Sequence, residues 1–135
     1  MALIVWSEDL SVKVSKSDEQ HKVLIKLIND LHDAMLKGKS KEIISEILKS
    51  LVDYTVIHFN EEEALLEKYN YPDLPVQKKA HAFFVQKVSD FQEGYKKNKF
   101  GLSIEIMDFL SDWLKNHING IDKNYSAFLN EKGVF

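Results

Sequence analysis

Apolar residues recur at intervals of three and four positions along four long segments of the chain. In the first segment this stripe is formed by Leu24, Ile25, Ile28, Leu31 and Met35. The spacing matches the turn of an α-helix, whereas the alternation typical of strands does not persist beyond the N-terminal arm. The pattern predicts an irregular arm at residues 1–16. The predicted helices cover residues 18–37, 41–69, 75–97 and 103–132.

Capping and turn residues stand between the predicted helices. Ser17, as the start of a capping box, or alternatively Ser15 is predicted to cap the first helix, which ends at Gly38. Ser40 suits the cap of the second helix, and Pro75 suits the first position of the third. The later connections are predicted at residues 71–75 and 98–101. Four helices with short connections predict an all-α, up-down-up-down four-helix bundle, a single domain over residues 1–135.

Composition excludes several classes of protein. The formal net charge is −3 and the lysines are spread along the helices, which does not indicate a nucleic-acid partner. The absence of cysteine excludes disulfides, zinc–thiolate sites and iron–sulfur clusters. No apolar run reaches the roughly 20 residues that span a bilayer. Residues 1–6 are apolar but too short, and lack the basic region, for a signal peptide, so a cytoplasmic protein without a membrane partner is expected.

Seven polar residues interrupt the apolar stripes. They are His21 on the first helix, His58 and Glu62 on the second, Gln77 and His81 on the third, and His117 and Asp122 on the fourth. Residues four apart point in nearly the same direction, so each pair on the second and third helices is expected to aim at one point. The pair on the fourth helix is five apart, about 140° at ideal geometry. We hypothesise that a widened turn near Asn119 and Gly120 brings the two closer.

A metal site accounts for these inward polar groups. A buried carboxylate costs several kcal/mol unless it is paired or ligates a cation, and no lysine on the stripes offers a partner. Imidazole suits iron, copper, zinc and nickel, and bridging carboxylates are typical of paired iron or manganese. Six or seven donors are too many for one closed tetrahedral zinc site. The sequence therefore favours two metal ions inside the bundle.

Taken singly, each of these residues has an ordinary structural explanation. A lone inward histidine is more often a satisfied core residue, and a lone HxxxE pair arises by chance on helices. The acidic run at residues 61–63 would usually be a solvated face. His32 lies near the same face as His21 but lacks an acidic or imidazole partner on the other stripes, so it is predicted to be structural. The convergence of four independent helices is what favours metal binding.

These residues resemble the hemerythrin family, specifically the single-domain bacterial hemerythrins. The order H, HxxxE, HxxxH, HxxxxD is specific to that family, and the resemblance covers essentially the whole chain. The matching positions are Trp6, residues 18–21, residues 58–62, Tyr71 with Pro72, His81 with Phe84, Trp113 with Leu114, His117 and Asp122. The resemblance implies a four-helix bundle that holds a non-haem diiron centre with carboxylate and oxo or hydroxo bridges.

The resemblance also implies a role for each residue. Glu62 and Asp122 would bridge the irons. His21 and His58 would complete the iron that keeps an open position for dioxygen. The other iron would be faced by Gln77, His81 and His117, and the pocket would be walled by Trp113 and Leu114.

The implied function is reversible binding of dioxygen as a bound hydroperoxide while both irons become ferric, for storage, delivery or sensing. Peroxide and small anions such as azide are further expected ligands. The alternatives left open are a diiron enzyme that turns over peroxide or acts as an oxidase, an iron-storage protein and a metal-free scaffold.

Two positions depart from the family pattern. Ser17 stands where the family tends to have an apolar residue, and Gln77 stands where it normally has histidine. The neutral amide oxygen of glutamine is a weaker donor to iron than imidazole. Three outcomes follow: the amide ligates, it turns away and leaves the position to water or an anion, or the second iron is lost. The interpretation favours a retained diiron centre with a weakened iron at His81 and His117.

Overall fold

The structure, a computed structural model, describes residues 3–97 and 102–135. A short 3-10 turn at Glu8–Leu10 precedes five α-helices. These are α1 (Ser15–Leu36), α2 (Lys41–Lys68), α3 (Leu74–Lys96), α4 (Leu102–His117) and α5 (Asn124–Glu131), with a π-helical turn (Ile118–Asp122) between the last two. Each of α1 to α3 packs on the next helix, and α4 closes the bundle against α1. The predicted all-α four-helix bundle is confirmed, with α4, the π turn and α5 forming its fourth rod.

The apolar stripes of the four rods meet in one continuous core. Leu31, Leu51, Leu66 and Leu110 are fully buried in it. Burial of a leucine side chain stabilises the fold by about 1.5–3 kcal/mol relative to exposure, so these stripes hold the rods together. None of the helices in the described ranges has the length and near-continuous apolar character of a bilayer-spanning segment.

Neither serine predicted to cap the first helix does so, and both predictions were wrong. Helix α1 already begins at Ser15, and the residue before it makes no side-chain capping bond. Asp18 takes over the role of linking the arm to the helix, because its carboxylate accepts hydrogen bonds from Val12 N at 2.8 Å and Ser11 Oγ at 2.6 Å. A carboxylate in the first turn also faces the positive end of the helix dipole. The helix therefore begins three residues earlier than predicted, and Ser17 is buried inside it.

The ends of the first three helices agree with most of the other predicted signals. Gly38 adopts φ +64° and closes α1 in a Schellman motif, with Lys39 N donating to Ala34 O at 3.0 Å. Ser40 caps α2 by accepting a hydrogen bond from the Ile43 amide at 3.3 Å. Pro75 is the second residue of α3, not the first, because that helix begins at Leu74. The loop predicted at residues 98–101 lies outside the described residues.

Replacing Gly38 with alanine tests the helix end that separates α1 from α2. A residue with a Cβ in the left-handed region costs roughly 1–2 kcal/mol, so Gly38→Ala should lower the free energy of unfolding by about that amount. Gly120→Ala is the matched control, because its φ is not positive and a Cβ there meets no atom within 4 Å. Urea unfolding followed by tryptophan fluorescence measures both. Equal losses in the two variants would contradict the assignment.

Candidate metal centre

All seven residues predicted to form the site are brought together in the middle of the bundle. None is more than 4% exposed. The cluster comprises His21 from α1, His58 and Glu62 from α2, Gln77 and His81 from α3, His117 from α4 and Asp122 from the π turn. Burial of this many polar groups is unfavourable unless they satisfy one another or hold a cation.

The π turn explains how two residues five positions apart reach the same site. Within it the Lys123 amide donates to Ile118 O at 3.0 Å, a bond that spans five residues instead of four. The wider turn brings His117 Nε2 to 3.0 Å from Asp122 Oδ1. The predicted widening near Gly120 is therefore confirmed.

The four imidazoles form two pairs on opposite sides of the carboxylates. The ring centroids of His21 and His58 are 4.9 Å apart, and those of His81 and His117 are 5.1 Å apart. Glu62 lies between the pairs: its Oε2 is 3.6 Å from the Nε2 atoms of both His21 and His58. Its other oxygen, Oε1, is 3.0 Å from His81 Nε2. Glu62 thus directs one oxygen toward each pair.

Asp122 repeats this arrangement from the opposite rod. Its Oδ2 is 3.2 Å from His21 Nε2, and its Oδ1 is 3.0 Å from His117 Nε2. Two carboxylates that each divide their oxygens between two imidazole pairs have the geometry of bridging groups between two positions.

Six of the inward-facing atoms that could ligate a metal lack hydrogen-bond partners. Those that are buried and unpartnered are His21 Nε2, Glu62 Oε1, Gln77 Oε1, His81 Nε2, His117 Nε2 and Asp122 Oδ2. In one group, donors from Glu62, His81, His117 and Asp122 lie within 4.8 Å of one another, and donors from His21, His58 and Glu62 form a second such group. Buried polar atoms are normally paired, so an unpaired cluster calls for a further binding partner. These residues fit two cations that share a carboxylate.

Electrostatics among the site residues keep both carboxylates ionised. Burial and the charge of Asp122 raise the pKa of Glu62, but the nearby imidazoles, led by His21, outweigh them and lower it to about 2. Burial likewise raises the pKa of Asp122, whereas the charge of His117, 3.0 Å away, holds it well below its usual range. Burial lowers the pKa of His21, yet the carboxylates of Asp122 and Glu62, 3.2 and 3.6 Å from its Nε2, raise it to about 10. Burial lowers the pKa of His58 to about 4. The proton on His21 supplies positive charge between the carboxylates, where a cation would supply more.

Hydrogen bonds on the outer side of two imidazoles fix their orientation. His58 Nδ1 donates to Gln20 Oε1 at 2.7 Å, and Gln20 Nε2 in turn donates to Glu61. His81 Nδ1 donates to Glu63 Oε2 at 2.8 Å. With the proton held on Nδ1, the Nε2 lone pair of each ring is turned into the cluster, as metal ligation requires.

Aromatic stacking orients the rings of the second pair. His81 lies parallel to Phe59, with centroids 3.8 Å apart and planes at 3°. His117 lies against Trp113 at 4.3 Å and 11°. Trp113, which the sequence placed in the wall of the pocket, is therefore in direct contact with a site residue. Leu114 is 3% exposed, and its role as a wall residue stays a prediction.

Gln77 is buried inside the cluster and is not a surface residue near the start of α3. It is 1% exposed, and its Nε2 donates to Asp122 Oδ1 at 2.9 Å. Its Oε1 is buried without a hydrogen-bond partner. The amide orientation follows from chemistry, because the opposite orientation would set two oxygens against each other.

Sequence reasoning missed Tyr125 as a site residue. The side chain is fully buried, and its hydroxyl donates to Glu62 Oε2 at 2.9 Å. Burial raises the pKa of Tyr125 well above its ordinary value, and the charge of Glu62 raises it further, so it stays a donor. The available signal was a phenol on the inward stripe, three residues after Asp122.

Gln20, Glu63 and Phe59 were missed as well, although Gln20 and Phe59 belong to the motifs that carried the resemblance. The residues that bind the outer nitrogen of a histidine have no fixed spacing from it, so the pattern along the chain does not point to Gln20 or Glu63. His32, predicted to be structural, is half-buried and belongs to neither donor group within the described residues.

Removing the Tyr125 hydroxyl should destabilise the protein. A hydrogen bond to a charged group contributes about 1.5–3 kcal/mol, so Tyr125→Phe is expected to lower the free energy of unfolding by about that amount. Tyr69→Phe is the control, since Tyr69 packs against the core from a partly buried position and belongs to neither donor group in the described part of the chain. Urea unfolding at equal metal content measures both. A Tyr125→Phe variant as stable as the control would contradict the role of the hydroxyl.

Comparison with known proteins gives a consistent result. The sequence model of the hemerythrin HHE cation binding domain matches residues 12–129. The chain is 38% identical to bacteriohemerythrin from Pseudomonas aeruginosa over 125 residues, which is 93% of this chain and 80% of that protein. It is 34% identical to bacteriohemerythrin from Methylococcus capsulatus, covering 96% of this chain and 98% of the relative. Myohemerythrin from Theromyzon tessulatum is 37% identical, with 92% of each chain covered.

The fold comparison agrees. The structure superposes on a crystal structure of wild-type hemerythrin with a TM-score of 0.87 and 32% sequence identity, covering 93% of this chain and 97% of that one. A leucine-to-alanine variant of hemerythrin gives the same TM-score and identity. The chain belongs to the hemerythrin family.

Proposed function

We propose that this chain is a non-haem diiron protein that binds dioxygen reversibly, with a centre perturbed at Gln77. The observation that carries the proposal is the pair of buried carboxylates, Glu62 and Asp122, each with one oxygen toward each imidazole pair. Membership of the hemerythrin family supports a diiron centre and oxygen binding.

The donor set suits two iron ions. One position would be held by His21 and His58, the other by His81 and His117. Both would share Glu62, and Asp122 would be shared as well because its Oδ2 faces His21 and its Oδ1 faces His117. Imidazole with bridging carboxylate is the ligand chemistry of paired iron. A pair of ferrous ions supplies, when bound, the two electrons that reversible dioxygen binding of this kind requires.

The protein contributes a dry and fixed environment. Phe59 and Trp113 stack against the imidazoles of the second pair, and Leu114, which follows Trp113 in the sequence, is buried. Exclusion of water from such a site suppresses proton transfer and other side reactions. Tyr125 holds Glu62 in place through its hydroxyl.

Gln77 weakens the second position in two ways. A neutral amide replaces an imidazole, and the amide nitrogen donates to Asp122 Oδ1, the oxygen that faces His117. A carboxylate oxygen that accepts this hydrogen bond has less electron density for a cation. We propose that the second iron is retained but held more weakly than the first.

Iron content tests the proposal directly. Anaerobic reconstitution with ferrous iron should give about two irons per chain, the number that two donor groups sharing a carboxylate can hold. Oxidation and addition of azide should then give the charge-transfer spectrum of a diiron–azide complex. Near-zero iron would favour a metal-free scaffold, and many irons per chain would favour storage. Either result would overturn the proposal.

Restoring histidine at position 77 should stabilise the oxygenated protein. We expect Gln77→His to slow decay to the ferric form about tenfold, the effect of about 1.4 kcal/mol on a rate. The reason is that a third imidazole would hold the second iron and release Asp122 Oδ1. Absorption spectroscopy after exposure to air follows the decay. Gln86→His, at an exposed glutamine on the same helix, is the control and should decay like the parent.

A wild-type oxygenated spectrum as long-lived as that of Gln77→His would contradict the proposed perturbation. It would leave the diiron assignment itself intact, because that assignment depends on the iron content and the azide spectrum.

An enzyme that turns over peroxide is the second candidate. The unpartnered Gln77 Oε1 favours it, because a weak amide donor leaves one exchangeable position at the second iron. Hemerythrins bind oxygen and are not catalysts, so the binding function comes first. Steady-state peroxide consumption that scales with iron content and disappears in Gln77→His would favour the enzyme.

A further inference from the structure

The four imidazoles of the site differ in what their outer nitrogens contact. His81 Nδ1 donates to the carboxylate of Glu63 at 2.8 Å, whereas His58 Nδ1 donates to a neutral amide oxygen at 2.7 Å. The Nδ1 atoms of His21 and His117 are both buried and make no hydrogen bond in the described part of the protein. Within that part, His81 is thus the only site imidazole with a negatively charged outer partner.

A charged outer partner makes a histidine a stronger ligand. The hydrogen bond polarises the ring and increases electron density on Nε2, the atom that faces the cluster. Hydrogen bonds to ionised acceptors are roughly twice as strong as neutral ones. Loss of such a partner typically lowers metal affinity by about 10–100-fold.

Glu63 is better placed than Glu61 to strengthen an imidazole ligand through its charge. The Glu63 side chain is 22% exposed, and with His81 it lines a groove of about 300 Å³ between α2 and α3. Partial burial limits screening of its charge by water. Glu61 is exposed and reaches the site only through Gln20, so its charge is one side chain further from an imidazole.

Glu63 and Gln77 both contact groups of the second candidate ion position, the one faced by His81 and His117. His81 belongs to the same imidazole pair as His117, and Gln77 donates to the Asp122 oxygen that faces this pair. We infer that Glu63 is a positioning residue that strengthens His81 as a ligand and thereby compensates in part for the missing imidazole at position 77. The inference rests on the proposed diiron function.

Two isosteric variants on α2 test the inference. Glu63→Gln keeps an oxygen that can accept the hydrogen bond from His81 and removes only the charge. Glu67→Gln makes the same change at an exposed carboxylate of the same helix that belongs to neither donor group, and it serves as the control. Each protein is loaded anaerobically with ferrous iron and titrated with a ferrous chelator, and the iron remaining per chain is measured. Circular dichroism checks that both variants fold.

In Glu63→Gln we expect one of the two irons to be removed at about 10–100-fold lower chelator concentration than in the parent. The other iron should be retained, and Glu67→Gln should follow the parent curve. A Glu63→Gln curve that coincides with that of Glu67→Gln would overturn the inference. If the parent itself binds no iron, the proposed function fails instead, so the two failures are distinguishable.

The chelator titrations with and without the Glu63→Gln change are repeated in the Gln77→His background. This comparison tests compensation separately from simple ligand strengthening. With a third imidazole present, loss of the Glu63 charge should displace the chelator curve less than it does beside Gln77. The readout is the interaction free energy of the double-mutant cycle, which a merely structural role for Glu63 would leave near zero. Equal displacements in the two backgrounds would overturn the coupling between Glu63 and Gln77.

Discussion

The site is built around two ionised carboxylates in the middle of a four-helix bundle, and the groups around them must compensate their negative charge. Glu62 and Asp122 are almost completely shielded from water, and an uncompensated buried charge costs several kcal/mol even after relaxation. Imidazoles on both sides supply protons in the metal-free protein, as the raised pKa of His21 indicates. Their Nε2 atoms approach the carboxylates without making well-directed hydrogen bonds, so this compensation is incomplete. The uncompensated negative charge is what would favour a bound cation at this cluster.

To bring Asp122 to the same site as His117, the fourth rod departs from regular helix geometry. A continuous α-helix would place His117 and Asp122 about 140° apart, on different faces of the fourth rod. The π turn at Ile118–Asp122 removes that divergence at the cost of one regular hydrogen-bonded turn. The second and third rods need no irregularity, because their paired site residues are four positions apart, and the first rod contributes only His21. Within the described helices, the widened turn therefore occurs in the rod whose spacing requires it.

The sequence predicted most of the fold and the inner part of the site for one physical reason. A polar side chain on an apolar stripe must be buried, so His58 and Glu62 were recognisable from position alone. The outer partners carry no such signal. Glu61 and Glu63 belong to one acidic run. Only the three-dimensional contacts show that Glu63 binds His81 directly, whereas Glu61 is linked to His58 through the amide of Gln20. The serine caps predicted for the first helix failed for a related reason, since nothing in the local pattern shows that Asp18 binds the arm.

The two candidate ion positions have the same number of imidazoles, whereas the family pattern would add a third imidazole at position 77 to one of them. With glutamine at position 77, each position has two imidazoles and one oxygen from each shared carboxylate. What still distinguishes them lies one contact further out: a carboxylate behind His81, a neutral amide behind His58, and the Gln77 donor on one oxygen of Asp122. In the proposed diiron centre the first of these would strengthen the second position and the last would weaken it, so the balance between the two positions would depend on hydrogen bonds as well as on ligands. A change of ligand in such a site therefore has to be judged together with the hydrogen bonds behind the ligands that remain.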